Sequence, residues 1–307
     1  MRGRGGQGEQ FVARKAFEAG GLNVLASSRR REIFEFNRME TKAVSNQQLL
    51  PVAVCMIAGA EASRIRRALE SVAGWTGEII VVLNDDVADG TDKIAESFGA
   101  KIFREPWKGH IAQKNSAADK ASCEWILGLD ADEEVSAALR GEIQELFSAA
   151  EKMKPFAAFS FPRCSYYCGR WIRHGDWYPD RKVRLWRRGQ ARWGGINPHD
   201  AVQVSGRVGC LNSDLFHYSM NDLDHHVRKT MAYSDIFARR QLECGRGGGF
   251  EMWFRPWWRF VRGYFLRLGF LDGWQGYAIA RIVALETFLR YAKIRAAQKS
   301  PHQLPRR

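Results

Sequence analysis

The sequence predicts an α/β fold: a mostly parallel sheet flanked by helices, followed by a helical, amphipathic C-terminal tail. Three observations carry this reading. From residue 50 onward, short apolar runs alternate with segments of helical period, the signature of βαβ units. The apolar runs read as buried strands, as a parallel sheet requires. The tail sets aromatic and basic side chains on opposite faces of one helical pattern.

The elements follow in order. A strand is expected over 52–57. Next comes a helix over 62–72, whose Ile65, Ala68, Leu69 and Val72 recur at helical spacing. Residues 78–83, Glu-Ile-Ile-Val-Val-Leu, read as a second buried strand. A helix over 92–98, a short strand over 100–103, a helix over 111–121 and a strand over 125–129 complete the alternation. A helix over 136–150 precedes a mixed region of short strands and turns, 156–218. Residues 221–243 read as helical and 251–295 as the aromatic, basic tail. There is no internal repeat. Sheets of this kind bind ligands beyond the carboxyl ends of their strands. The loops after residues 57, 83 and 129 are therefore where chemistry is expected.

The 307 residues suit one large domain with decorations or two small ones. The boundaries expected are an N-terminal extension over 1–48, a catalytic region over 49–220 with halves at 49–135 and 155–220, and a helical region over 221–307. The Gly/Arg-rich start reads as disordered and has no signal-peptide apolar core. Met39, twelve residues before the first clear strand, is the expected true start, with 1–38 an upstream extension. N-terminal sequencing of the native chain tests this. A formal charge of +13 favours anionic partners. No run of 18 apolar residues marks a membrane span. The six cysteines lack the paired spacing of a zinc site and read as reduced thiols. Zinc-finger, basic-zipper and RNA-binding strand patterns are also missing, so no nucleic-acid partner is expected.

The strongest chemical signal is Trp-Ile-Leu-Gly-Leu-Asp130-Ala131-Asp132-Glu133-Glu134. An apolar strand delivers two carboxylates one residue apart, and alternate residues of an extended chain face one side. Asp130 and Asp132 either converge on a divalent cation, Mg²⁺ or Mn²⁺, held jointly with phosphates, or form an acidic turn that caps the next helix. The loop beginning at Asn84-Asp85-Asp86 offers polar groups where a nucleotide base or ribose would lie. Asp89-Gly90-Thr91-Asp92 reads as a turn and helix cap. Lys108 and Lys114, in Trp107-Lys-Gly-His-Ile-Ala-Gln-Lys-Asn115, are candidate phosphate contacts or a solvated basic face.

These motifs, in this order, resemble the family 2 glycosyltransferases. Phe161-Pro-Arg163, Gly169-Arg-Trp-Ile-Arg-His-Gly175, Trp177-Tyr-Pro-Asp180, Arg184-Leu-Trp-Arg-Arg-Gly189 and Gly269-Phe-Leu-Asp-Gly-Trp274 resemble lipopolysaccharide core transferases that add glucose to the inner core. The resemblance spans about residues 50–295. It implies an inverting enzyme with a nucleotide-diphospho-sugar transferase (GT-A-like) fold, a UDP-glucose donor and a divalent cation. Its partners would be a lipid-linked saccharide acceptor and the cytoplasmic face of the inner membrane. Asp130 and Asp132 would match the metal- and diphosphate-binding acids, and Asn84 or Asp85 the contact to uracil. Asn197-Pro-His-Asp200 falls where the family has a His-Glu pair, which makes Asp200 the general base. Two stretches depart from the family, Ala58-Gly-Ala60 after the first strand and Leu83 where Asp is usual. Both concern the nucleotide base.

The chemistry of such a transfer asks for a cation to offset charge on the leaving diphosphate and a positioned base for the acceptor hydroxyl. Asp200 is the first candidate base and Asp180 the second. Arg173, His174, Asp176 and His199 are candidate acceptor contacts, and Arg170 and Arg184 could bind its phosphates. Over 253–268, Trp253, Trp257, Phe260, Val261, Tyr264 and Leu268 share one helical face, opposite Arg255, Arg259 and Arg262. That is the pattern of a helix lying in a membrane surface, or of one packed on the domain with exposed arginines. Other readings are a polyprenyl-phosphate or polysaccharide transferase, a basic nucleic-acid-binding module, and a transferase fold without activity.

Overall fold

The computed structural model describes residues 49–196, 199–220, 222–244 and 250–299. The disorder expected for 1–48 and the start expected at Met39 lie outside the described residues, as do Asn197 and Pro198.

The first half alternates as expected: β1 (Leu50–Ala58), α1 (Ile65–Val72), β2 (Thr76–Asn84), α2 (Thr91–Ser97), β3 (Lys101–Glu105), α3 (His110–Asp119) and β4 (Trp125–Gly128). Next come β5 (Glu133–Val135), α4 (Ala137–Ser148) and α5 (Ala150–Met153). The strand-rich part holds β6 (Ala158–Tyr167), β7 (Arg170–Ile172), β8 (Asp180–Arg187), β9 (Ala191–Ile196), β10 (His199–Val204), β11 (Val208–Cys210) and β12 (Leu215–Met220). Helices α6 (Leu223–Glu243), α7 (Glu251–Val261) and α8 (Gly273–Lys299) follow.

The main sheet runs β3-β2-β1-β4-β8-β6-β12-β5, with β7 and β11 also paired to β6. Strands β3, β2, β1 and β4 are mutually parallel. Beyond β4 the sheet is mixed: β8 is antiparallel to both β4 and β6, β12 is parallel to β6, and β5 is antiparallel to β12. The expected sheet is thus wholly parallel over β3-β2-β1-β4 and mixed beyond β4, where β11 and β12 still pair in parallel with β6. The short connection from β6 to β7 allows only antiparallel pairing, whereas β11 and β12 return to β6 in parallel after longer excursions.

Period-two alternation along β1 sorts its side chains between two cores. Val52, Val54, Met56 and Ala58 pack with Ile65, Leu69 and Val72 of α1 and Leu139 and Ile143 of α4. Ala53 and Cys55 face the other way, toward Ala117 of α3 and Trp193 of β9. Leu83, where the family places an acid, is fully buried on the first of these faces. The acidic turn does not cap α4. Ser136 does, its Oγ accepting from the Leu139 N–H at 3.1 Å.

The tail is not a single amphipathic helix over 253–268. Helix α7 stops at Val261, Arg262–Leu266 form a π turn, and Leu268 is left-handed at φ 57°. The chain folds back tightly there. A Cβ on Gly269 would lie 2.6 Å from the Gly263 carbonyl oxygen, so only glycine permits this approach.

Candidate active site

The parallel strands β1, β2 and β4 point their carboxyl ends into one cleft of about 1430 Å³. Its walls include Gly59 after β1, Asn84–Asp86 at the end of β2, and Asp130–Asp132 after β4. The loops after β1 and β2 are stapled together. Asp89 accepts from the Ala62 N–H and from the Thr91 N–H and hydroxyl, while the Thr91 hydroxyl accepts from the Glu61 N–H. The Asp-Gly-Thr turn thus holds the loop after β1 in place beside Asn84. The Asn84 carbonyl oxygen, Oδ1, is buried without a hydrogen-bond partner among the described residues, and Asn84 lines the cleft.

Asp130 is the hub. Its Oδ1 pairs with Lys114 Nζ at 2.7 Å and its Oδ2 with Arg184 Nη2 at 2.7 Å. Burial alone would raise its pKa, but Arg184 and Lys114 override that and hold the carboxyl well below the usual carboxylate range. Lys114 also pairs with Asp200 Oδ2 at 2.8 Å, so one ammonium ties the strand-end acid to the candidate base. Beneath them lies Trp193, with Lys114 at 4.3 Å and Arg184 at 5.0 Å from its ring centroid. The Gln-Lys-Asn stretch explains how α3 delivers Lys114. Asn115 donates to the Trp193 carbonyl at 2.9 Å and accepts from the Trp193 N–H at 3.0 Å, locking helix to strand.

Arg184 is held from behind by Glu133, which is 1% exposed. Glu133 Oε1 accepts from Arg184 Nη2 at 2.7 Å, and its Oε2 accepts from the Asp130 N–H at 3.0 Å. Arg184 itself is 4% exposed, yet its Nε and Nη1 have no hydrogen-bond partner among the described residues. Unmatched donors on a buried guanidinium are costly.

A divalent cation fits Asp132 better than Asp130. Both oxygens of Asp130 are taken by cations, whereas Asp132 Oδ2 lies 3.6 Å from His217 Nε2 across the cleft wall. Burial raises the Asp132 pKa, but the hydrogen bond and charge of His217 bring it below its ordinary value. His217 Nδ1 lies 3.3 Å from the Ser165 hydroxyl, a contact that fixes the ring with Nε2 toward Asp132. No group of three or more His, Cys, Asp or Glu side chains gathers around a metal among the described residues. Asp132 is the hard oxygen donor that Mg²⁺ and Mn²⁺ take jointly with phosphates and water, and His217 adds a nitrogen donor that Mg²⁺ accepts less readily.

The remaining candidates divide. Asn84, Asp85, Lys114, Asp130, Asp132 and Asp200 all line the cleft. Asp180 does not; its carboxylate is taken by Arg163 at 2.7 Å and Lys182 at 2.9 Å. Arg173, His174 and Asp176 also lie off the cleft. Arg173 pairs with Asp214 at 2.8 Å, and His174 Nδ1 lies 3.1 Å from Asp272 Oδ1. Asp176 sits among Arg259, Arg262 and Arg267 at 3.2, 2.8 and 3.4 Å. His174 and Asp176 thus clasp the strand-rich half to the C-terminal region, while the Arg173 guanidinium pairs within the strand-rich half. Of His199, only the β10 backbone pairing with Ile196 is described. The sequence reading missed Glu133 as a brace, His217, Trp193 and Lys229. The last three line the same cleft, and His217 and Lys229 reach it from β12 and α6. A lone histidine and a lone lysine in these elements carry no spacing signal toward Asp132.

Comparison with known proteins gives a consistent result. Residues 53–205 match the model for Glycosyl transferase family 2. An uncharacterized glycosyltransferase of Rickettsia typhi is 31% identical over 254 residues, covering 80% of this chain and 86% of the relative. The lipopolysaccharide core biosynthesis glycosyltransferase LpsC of Rhizobium meliloti is 28% identical over 253 residues, covering 80% and 92%. Among solved structures, S. aureus TarS 1-349 in complex with UDP-GlcNAc is 12% identical with a TM-score of 0.44, covering 80% of this chain and 93% of that one.

Proposed function

The chain belongs to glycosyltransferase family 2, and from that premise we propose an inverting transfer of a hexose, glucose first among them, from UDP-glucose to a lipopolysaccharide core sugar. The observation that carries the reading is the single ammonium of Lys114 joining Asp130 at 2.7 Å to Asp200 at 2.8 Å, in the cleft where β1, β2 and β4 end. The named function of LpsC supports the acceptor class.

In this reading, the Asn84–Asp86 loop takes the nucleoside. Arg184, with two unmatched donors, and Lys114 meet the diphosphate. Asp132 and His217 would hold Mg²⁺ or Mn²⁺, which supplies Lewis-acid stabilisation of charge on the leaving diphosphate. Asp200 takes the proton of the acceptor hydroxyl as that oxygen attacks the sugar carbon from the face opposite the diphosphate. One carboxylate is enough for a single displacement with inversion.

The acceptor would be lipid-linked and the enzyme peripheral on the cytoplasmic face of the inner membrane. Support comes from the C-terminal region. Trp253, Trp257, Phe265, Leu266, Leu271 and Trp274 are each 48–65% exposed. Meanwhile Arg259 and Arg262 turn inward onto Asp176. An outward aromatic surface on a chain of net charge +13 matches an anionic bilayer. No described helix is long and apolar enough to cross a membrane.

The test is a panel of nucleotide sugars with Mn²⁺ or chelator, with deacylated core lipopolysaccharide as acceptor. Metal-dependent consumption of one donor, absent in Asp132→Ala, is the expected result. Consumption of none would leave a transferase fold without activity.

A further inference from the structure

The cleft is electrically polarised along the sheet order. On the β2 side of β4 lie Asp85 and Asp86. On the other side, β8 contributes Arg181, Lys182 and Arg184, β6 contributes Arg163, and α6 contributes Lys229. The nucleoside end is therefore acidic and the far wall basic.

The partners of that wall decide how much of its charge is already matched. Arg184 is matched by Asp130 and Glu133, and Arg163 shares Asp180 with Lys182. Two cations remain without a carboxylate among the described residues. Arg181 donates only to neutral oxygens, the Leu211 carbonyl at 2.9 Å and Asn212 Oδ1 at 3.3 Å. Lys229 donates to the Ser219 carbonyl at 3.3 Å and is half-buried. A half-buried ammonium that lines a cleft and has no ion-paired carboxylate is stabilised when an anion arrives.

We infer that this wall receives the acceptor, and that the acceptor presents an anion to it, a phosphate ester or a carboxylate. Lys229 is the inner contact and Arg181 the outer one. The inference rests on the transferase reading above and specifies the substrate class of the same site. It also separates two groups of cations: Lys114 and Arg184 serve the donor, and Lys229 and Arg181 serve the acceptor.

The experiment measures UDP-glucose turnover with Mn²⁺ in two formats. In the first, native deacylated core lipopolysaccharide is compared with phosphatase-treated and carboxyl-reduced material. In the second, glucose, glucose 6-phosphate and glucuronate compete at the acceptor site during donor hydrolysis. The expected result is at least a tenfold preference for the anionic acceptor, and an inhibition constant for an anionic sugar at least tenfold lower than that for glucose. The arm that loses the preference names the anion. In Lys229→Met/Arg181→Met the preference collapses toward one, and the loss falls on acceptor KM while donor KM moves less than twofold. Donor turnover without anionic preference overturns this inference alone, as does a rise confined to donor KM. No turnover of any nucleotide sugar overturns the transferase reading and this inference with it.

Discussion

Replacing Asp176 by Ala should destabilise the protein without disabling its chemistry. Asp176 is 5% exposed in its side chain, and Arg262, Arg259 and Arg267 around it are 31%, 40% and 51% exposed. Removing one partner of a buried ion pair costs about 3–5 kcal/mol. The arginines reach water, which relieves much of their loss, so exposed-pair values pull the figure down. Weighing the two gives about 2 kcal/mol. At roughly 2–4 °C per kcal/mol for a domain of this size, Tm should fall by about 4–8 °C. Differential scanning calorimetry reads the shift, and donor hydrolysis at 20 °C reads the cleft. Arg262→Met, which removes the 2.8 Å pair, should reproduce part of the loss. An unchanged Tm together with a raised acceptor KM would refute the clasp and return Asp176 to the acceptor site.

Four further outcomes follow from the same geometry. Asp132→Ala and His217→Ala should each lower metal-dependent turnover by about 100-fold or more, with Mn²⁺ affinity measured by titration falling in parallel; full activity in chelator would contradict the pair. Asp200→Asn should lose about 10²–10⁴ in transfer while donor KM holds, and a loss seen only in donor KM would reassign it. Glu105, held down to about 2 chiefly by its hydrogen bond to Lys120, is a depressed acid, so its stabilisation is full above its ordinary value and disappears as pH falls through about 2. The stability gap between wild type and Glu105→Gln in urea titrations should therefore be largest at pH 6 and shrink steadily toward pH 2; a gap that widens in acid would reverse the sign. Trp257→Ser/Trp274→Ser should weaken co-sedimentation with vesicles containing anionic lipid by about tenfold, and equal binding would remove the aromatic surface from the membrane reading.

What the sequence disclosed and what it withheld follow one physical division. The β1–β4 half was legible because its signals are local. Ile65, Ala68, Leu69 and Val72 repeat within one helix, and Asp130 and Asp132 fall directly after one strand. Lys114 was legible as a cation, but its two-carboxylate partnership was not, because Asp200 is 86 residues away and meets it only through the β9–β10 hairpin. His217 was missed for the same reason. Its place opposite Asp132 depends on β12 pairing with both β5 and β6, a long-range register that no periodicity encodes. The Arg173-His174-Gly175-Asp176 stretch differs in the opposite direction. A dense cluster of chemically capable residues reads as a site, yet Asp214, Asp272 and three tail arginines consume its charges. Lys229 and Arg181 have no ion-paired carboxylate among the described residues, although nothing in their local sequence distinguishes them from Arg173. In a chain this basic, composition cannot mark a binding residue. In this reading, the cations that the fold leaves in the cleft without an ion-paired carboxylate are the ones that meet the acceptor.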